Sequence, residues 1–80
     1  MKARVKDMNY GRDLYVFERE DGETGYFELL GGPDLESEDW LKGNFEDLGR
    51  KTVTAVETNQ KYDISIEDIC SLDIAMERIN

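Results

Sequence analysis

The dipeptide Asp21-Gly22 constrains the fold more than any other feature of this sequence. It lies between residues 14–20 and residues 23–30, two runs rich in aromatic and branched side chains that favour β-strands. Asp-Gly supplies the positive φ angles of a tight two-residue turn. The sequence therefore predicts an antiparallel hairpin with this dipeptide at its tip.

A two-residue turn also predicts the register of that hairpin. Glu20 is expected opposite Glu23 as a mildly destabilising like-charge pair, and Phe17 is expected opposite Tyr26. Because side chains alternate along a strand, each strand divides into two faces. The predicted core face carries Leu14, Val16, Phe27 and Leu29. The predicted second face carries Tyr15, Phe17, Arg19, Thr24, Tyr26 and Glu28.

Further strands are predicted on both sides of the hairpin. Residues 2–10 begin with alternating basic and apolar residues, and residues 51–58 are rich in β-branched side chains. The alternation of Tyr62, Ile64 and Ile66 with polar residues indicates the clearest half-buried strand, which follows a turn at Asn59-Gln60.

The segment between the hairpin and the later strands is less regular. Residues 34–40 are acidic, and a helical turn capped by Ser37 is expected there. Trp40 and Leu41 are expected to anchor this segment on the core. Phe45 and Leu48 are assigned to another short strand that ends at Gly49.

The periodicity changes near the C-terminus. Leu72, Ala75, Met76 and Ile79 are spaced as one face of a helix, for which Ser71 is a suitable N-cap. So short a helix must pack on the sheet to be stable.

These elements predict a mainly β (α+β) fold in one domain over residues 1–80. We expect a small antiparallel barrel or curved sheet of five to six strands, with one short C-terminal helix. Its general layout resembles the SH3-like and OB-like barrels, a likeness of architecture that implies no particular function.

Charge is the strongest compositional signal. The net charge is −9, with −10 in residues 13–49 and +3 in residues 1–12. A strong acidic excess keeps a small domain soluble, repels phosphate groups and favours basic protein partners. We therefore expect a protein partner rather than nucleic acid or a membrane surface.

Catalytic and metal-binding patterns are weak. The sequence has no histidine, which removes the commonest general base, and we expect a non-enzymatic protein without cofactor or metal. The acidic loop with Asp34, Glu36, Glu38 and Asp39 lacks the spacing of a calcium loop. Cys70 is the single cysteine, so no intramolecular disulfide forms, and it is expected to be a small buried or half-buried side chain at the start of the helix. With no apparent signal peptide or spanning segment, a cytoplasmic location is expected.

Two surfaces are predicted to bind a partner. The first is the acidic hairpin with Glu18, Glu20, Asp21 and Glu23, which favours a basic protein partner. The second is the aromatic face with Tyr15, Phe17 and Tyr26, either exposed for a partner or covered by the C-terminal helix. If exposed, the same rings form a stacking platform for single-stranded nucleic acid, with the N-terminal basic residues nearby. This alternative is opposed by the net charge and by Glu28 on the same face.

Overall fold

A computed structural model describes residues 1–80 and contains six strands and one α-helix. The elements are β1 (Lys2–Asn9), β2 (Leu14–Arg19), β3 (Thr24–Gly31), β4 (Trp40–Lys42), β5 (Gly49–Ala55), β6 (Lys61–Ile69) and α1 (Leu72–Ile79), with a 3-10 turn at Tyr10–Arg12. The strands pair antiparallel in the order β1-β2-β3-β6-β5-β4, and β4 returns to β1 to close a barrel. The predicted small antiparallel barrel with one C-terminal helix is confirmed.

The hairpin of β2 and β3 forms as predicted, but its predicted register is wrong by one residue. Val16 lies opposite Tyr26, and Phe17 lies opposite Gly25. The loop has three residues, because the Arg19 amide donates to the Glu23 carbonyl at 2.7 Å and the Gly22 amide donates to the Arg19 carbonyl at 2.9 Å. Gly22 has a φ of 93°, the conformation that closes a three-residue loop with a bulge. Glu20 and Glu23 therefore do not face each other as a pair.

This shift of one residue exchanges the predicted faces of β2. Tyr15 and Phe17 lie inside the barrel and are fully buried. Leu14 and Val16 lie outside the barrel wall, where α1 covers them. The aromatic face predicted from the sequence therefore does not form, since two of its three rings belong to the core and Tyr26 alone stays outside.

Aromatic rings fill the barrel interior. Tyr15 stacks on Phe27 with ring centroids 5.3 Å apart, and Phe17 lies 5.2 Å from the Phe45 ring. The Tyr15 hydroxyl accepts a hydrogen bond from the Leu35 amide at 3.3 Å, which satisfies a polar group within the core. The barrel core combines residues from all six strands with Leu35 and Phe45 from the loops.

The helix α1 packs on the outside of the barrel in a second, smaller core. Ala75 and Ile79 are fully buried against Leu14 and Val16, whereas the predicted helix-face residue Leu72 is 43% exposed. The Ser71 hydroxyl accepts a hydrogen bond from the Ile74 amide at 3.4 Å, which confirms Ser71 as the N-cap. Thus the helix covers β2 and β3 without entering the barrel core.

The segment from residue 31 to residue 48 differs from its prediction. No helical turn forms at residues 34–40, and Phe45–Leu48 is a loop rather than a strand. Leu35 and Phe45 are nevertheless fully buried, because each loop inserts one apolar side chain into the barrel. Leu41 is buried as expected, while Leu48 is 58% exposed.

Candidate protein-binding surface

Arg19 joins the tip of the β2–β3 hairpin to the loop between β4 and β5. Its Nε donates to Asp21 Oδ1 at 3.0 Å, and its Nη1 donates to the Phe45 carbonyl at 3.5 Å. The Arg19 side chain is only 12% exposed, whereas the side chain of its ion-pair partner Asp21 is 41% exposed. The half-buried Arg19 side chain therefore holds two acidic loops side by side.

These two loops form one acidic surface, which we call the acidic end of the barrel. Its residues are Glu20, Asp21, Glu23, Glu46 and Asp47, all exposed. The hydrogen bond that Arg19 donates to Asp21 is the main cause that raises the pKa of its guanidinium, and the nearby charges of Glu46 and Glu23 add to it. Since Arg19 pairs with Asp21, the other four carboxylates lack a cationic partner within 4.0 Å.

Hydrogen bonds shape both acidic loops. Asp21 accepts from the side chain of Arg19 and from the Glu23 amide, and these bonds lower the pKa of the Asp21 carboxyl group, the Arg19 bond most. Asn44 Oδ1 accepts from the amides of Glu46 and Asp47, at 2.9 and 3.2 Å. The carboxylates thus project from ordered turns.

The structure divides the acidic residues that the sequence predicts as a binding site. Glu20, Asp21 and Glu23 lie at the acidic end, but Glu18 lies on the barrel wall, where Arg4 Nη2 is 3.2 Å from its Oε1. Glu46 and Asp47 were not predicted as part of the binding site, because Phe45 and Leu48 on either side of them were assigned to a strand. An acidic pair beside Asn44, a residue that caps turns through its side chain, was the available signal for a loop.

Two of the three rings and three of the four N-terminal basic residues of the predicted nucleic-acid platform are engaged within the fold. Tyr15 and Phe17 are fully buried, so their faces are not available for stacking. Arg4 contacts both Glu18 and Glu38 and lies over the Trp40 ring at 5.3 Å, while Lys6 Nζ is 3.6 Å from Glu38. Arg12 is also engaged, since its Nη1 donates to the carbonyls of Arg78 and Asn80 near the end of α1.

The acidic loop at residues 34–39 does not collect its carboxylates around one point. Glu38 pairs with the bases of β1, and Asp39 accepts a hydrogen bond from the Glu36 amide at 2.9 Å. Nowhere in the chain do three or more acidic or cysteine side chains converge in a way suited to a metal ion.

Cys70 and the groove beside α1 show no comparable chemistry. Burial is the main cause that raises the pKa of the Cys70 thiol, with Asp68 adding to it. One surface groove of about 260 Å³ is lined by residues 50–52, 63 and 64, and a separate groove of about 540 Å³ lies beside α1, where two arginines and two glutamates give no net charge. The larger groove is lined by Arg12, Leu14, Tyr26, Glu28, Glu67 and Arg78.

Comparison with known proteins gives no family model, curated protein or solved structure that matches this chain. The single helix has eight residues, and no helix of the structure has the length and apolarity needed to cross a bilayer.

Proposed function

We propose that this chain is a non-enzymatic interaction module whose acidic end binds a basic segment of a protein partner. The observation that carries the proposal is the meeting of two acidic loops around Arg19, which leaves four exposed carboxylates without a cationic partner. A basic segment that pairs with them gains electrostatic attraction, and the net charge of −9 accelerates its approach.

The ordered loops support this proposal because binding then costs little conformational entropy. Both turns are fixed by hydrogen bonds in which the side-chain oxygens of Asp21 and Asn44 accept from backbone amides, so the backbone that carries the carboxylates is already ordered. Exposed charge pairs contribute about 0.2–1 kcal/mol each, and the binding should weaken as salt is raised.

Single-stranded nucleic acid is the weaker candidate, because the Tyr15 and Phe17 rings are in the core and both Arg4 and Lys6 of β1 are paired with glutamates. A fluorescence titration with a labelled oligonucleotide at low salt separates the two candidates. We expect no saturable binding under those conditions, and saturable binding would favour the nucleic-acid function.

The proposal is tested by the affinity of a fluorescent arginine-rich peptide, measured by anisotropy at about 0.1 M salt, where the Debye length is about 10 Å. The test variant combines Glu20→Gln, Glu23→Gln and Glu46→Gln. A loss of about 0.5 kcal/mol for each removed charge totals ~1.5 kcal/mol, or roughly tenfold in affinity.

The control variant combines Glu36→Gln, Glu57→Gln and Glu77→Gln, which removes the same charge elsewhere. These three side chains are exposed and lie outside the acidic end of the barrel. We expect less than about a twofold loss for the control, since distant exposed charges are largely screened. Equal losses for both variants would mean that the peptide senses only the net charge, and the proposed site would be wrong.

A further inference from the structure

The barrel closes incompletely along β5. Its neighbour β4 has three residues and pairs only with Thr54 and Ala55, whereas β6 pairs with β5 from Gly49 to Thr54. No backbone hydrogen bond joins residues 49–53 to the loop at residues 43–48. The first five residues of β5 therefore have one edge without a strand beside it.

The end of β4 explains why this edge is open. Gly43 follows directly and packs so closely on Val53 that a Cβ at residue 43 would lie 2.8 Å from Val53 Cγ1. The chain then turns into the barrel to bury Phe45 completely, instead of continuing along β5. β4 therefore ends at Lys42, because the chain after it turns inward to bury the Phe45 side chain.

Specific backbone groups point towards the open edge. In an antiparallel ladder every second residue bonds to the same neighbour. The Val56 amide donates to the Trp40 carbonyl at 2.9 Å. The backbone N–H and C=O groups of Thr54, Thr52 and Arg50, at every second residue, therefore point to the same side as β4. Thr52 and Arg50 are exposed and lie beyond the end of β4, which leaves two N–H and two C=O groups for another strand.

Basic side chains without an acidic partner surround the same strand. Lys42 lies opposite Thr54 on one side, and Lys61 lies opposite Thr54 on the other. Neither lysine nor Arg50 has a carboxylate within 4.0 Å, in contrast to Arg4 and Lys6 of β1. Asp63 lies opposite Thr52 on the same face and accepts a hydrogen bond from its hydroxyl at 2.9 Å, so the three bases outnumber this carboxylate in a chain of net charge −9.

We propose that the open edge of β5 binds an extended acidic segment of a partner protein by β-strand addition. The backbone groups of Arg50 and Thr52 pair with the added strand, while Lys42, Arg50 and Lys61 pair with its carboxylates. A second copy of this chain fits less well, because its own β5 brings a second Arg50 and its net charge of −9 repels the first copy. The open edge adjoins the loop that carries Glu46 and Asp47 of the acidic end, and the Lys51 ammonium donates to the Asp47 carbonyl. The two proposals are nevertheless tested separately, because the peptides have opposite charges and the variants alter different residues.

The test uses the whole protein labelled with ¹⁵N and an eight-residue peptide that alternates glutamate with threonine. We expect the amides of Arg50 and Thr52 to exchange rapidly with solvent in the free protein and to shift and become protected when the peptide binds. A peptide N-methylated at alternate residues, which has the same charge but fewer backbone donors, should bind at least tenfold more weakly.

A protein variant gives an independent arm. Thr52→Pro removes an amide that makes no bond to β6, and it should abolish peptide binding, whereas Thr52→Val removes the hydroxyl bond to Asp63 and should retain the binding. The N-methylated peptide tests the same point on the unaltered protein if Thr52→Pro does not fold.

Four outcomes would overturn the proposal. The first two are slow solvent exchange of the Arg50 and Thr52 amides in the free protein and no chemical-shift change at these amides at millimolar peptide. The third is that the N-methylated peptide or an oligonucleotide binds as tightly as the unmodified acidic peptide. The fourth is a dimer that forms without peptide and protects the same amides from exchange.

Discussion

Replacing Phe17 with alanine tests the register of the β2–β3 hairpin, on which the description of both barrel faces depends. The Phe17 ring is fully buried and lies 5.2 Å from the Phe45 ring and 6.2 Å from the Phe27 ring. In the alternative register the same ring would be on the outer face. The observed register therefore requires a large loss in the free energy of unfolding when the ring is removed.

The expected loss follows from the buried area. A buried phenylalanine removes at least about 150 Å² from water, which at about 25 cal/mol per Å² is nearly 4 kcal/mol. This agrees with a usual range of about 3–5 kcal/mol for Phe→Ala in a core. An 80-residue domain has a total stability of about 4–12 kcal/mol, so Phe17→Ala should remove a large share of it.

The assay is urea unfolding followed by circular dichroism, with Leu48→Ala as the control. Leu48 is 58% exposed, so its loss should change the free energy of unfolding by less than about 0.5 kcal/mol. If Phe17→Ala fails to fold, Phe17→Leu provides a milder change, with an expected loss of about 1–1.5 kcal/mol. A loss below about 1 kcal/mol for Phe17→Ala would refute the described register.

Three further changes test other parts of the fold. Gly25→Ala should unfold or severely destabilise the domain in thermal melts, because the added Cβ would overlap the Asp68 carbonyl and approach Phe17 Cζ at 2.9 Å; a normal melting temperature would contradict this packing. Ile79→Ala should cost about 2–4 kcal/mol in urea unfolding, since Ile79 is fully buried, and a loss below about 1 kcal/mol would place α1 elsewhere. Burial raises the pKa of Tyr15 above its ordinary value of about 10, so its contribution to stability is present below that pH and is lost as pH rises through the raised pKa. Tyr15→Phe should therefore reduce the fall in melting temperature as the pH is raised above about 10, measured by thermal melts at increasing pH. An unchanged fall in melting temperature would contradict a buried Tyr15 phenol.

Five of the six strands and the helix were predictable because their periodicities are visible in short segments, whereas the three-residue β4 at Trp40–Lys42 was missed. The alternation around Ile64 and the helical spacing from Leu72 to Ile79 both match the structure. The hairpin register was not predictable in the same way. Asp-Gly suits a two-residue turn, but its glycine also closes a three-residue loop, and these two choices place opposite faces of β2 in the core. Aromatic packing among Tyr15, Phe17 and Phe27 accompanies the longer loop.

The candidate site was predictable only in part. The acids at the hairpin tip are adjacent in sequence, so their clustering followed directly from the predicted turn. Their meeting with Glu46 depends on a contact between Arg19 and the Phe45 carbonyl, which are 26 residues apart. The neutralisation of Glu18 by Arg4 likewise depends on the pairing of β1 with β2. Contacts of this kind arise from barrel closure and leave no local signal in the sequence.

The most direct measurement of the proposed function is a map of amide chemical-shift changes as an arginine-rich peptide is added to the ¹⁵N-labelled protein at low salt. The proposal predicts that the largest shifts fall together at the acidic end, on residues 20–23 and 44–47, and that they diminish as salt is raised. Shifts spread evenly over all exposed acidic residues, or concentrated around α1, would contradict a binding site formed by the two acidic loops.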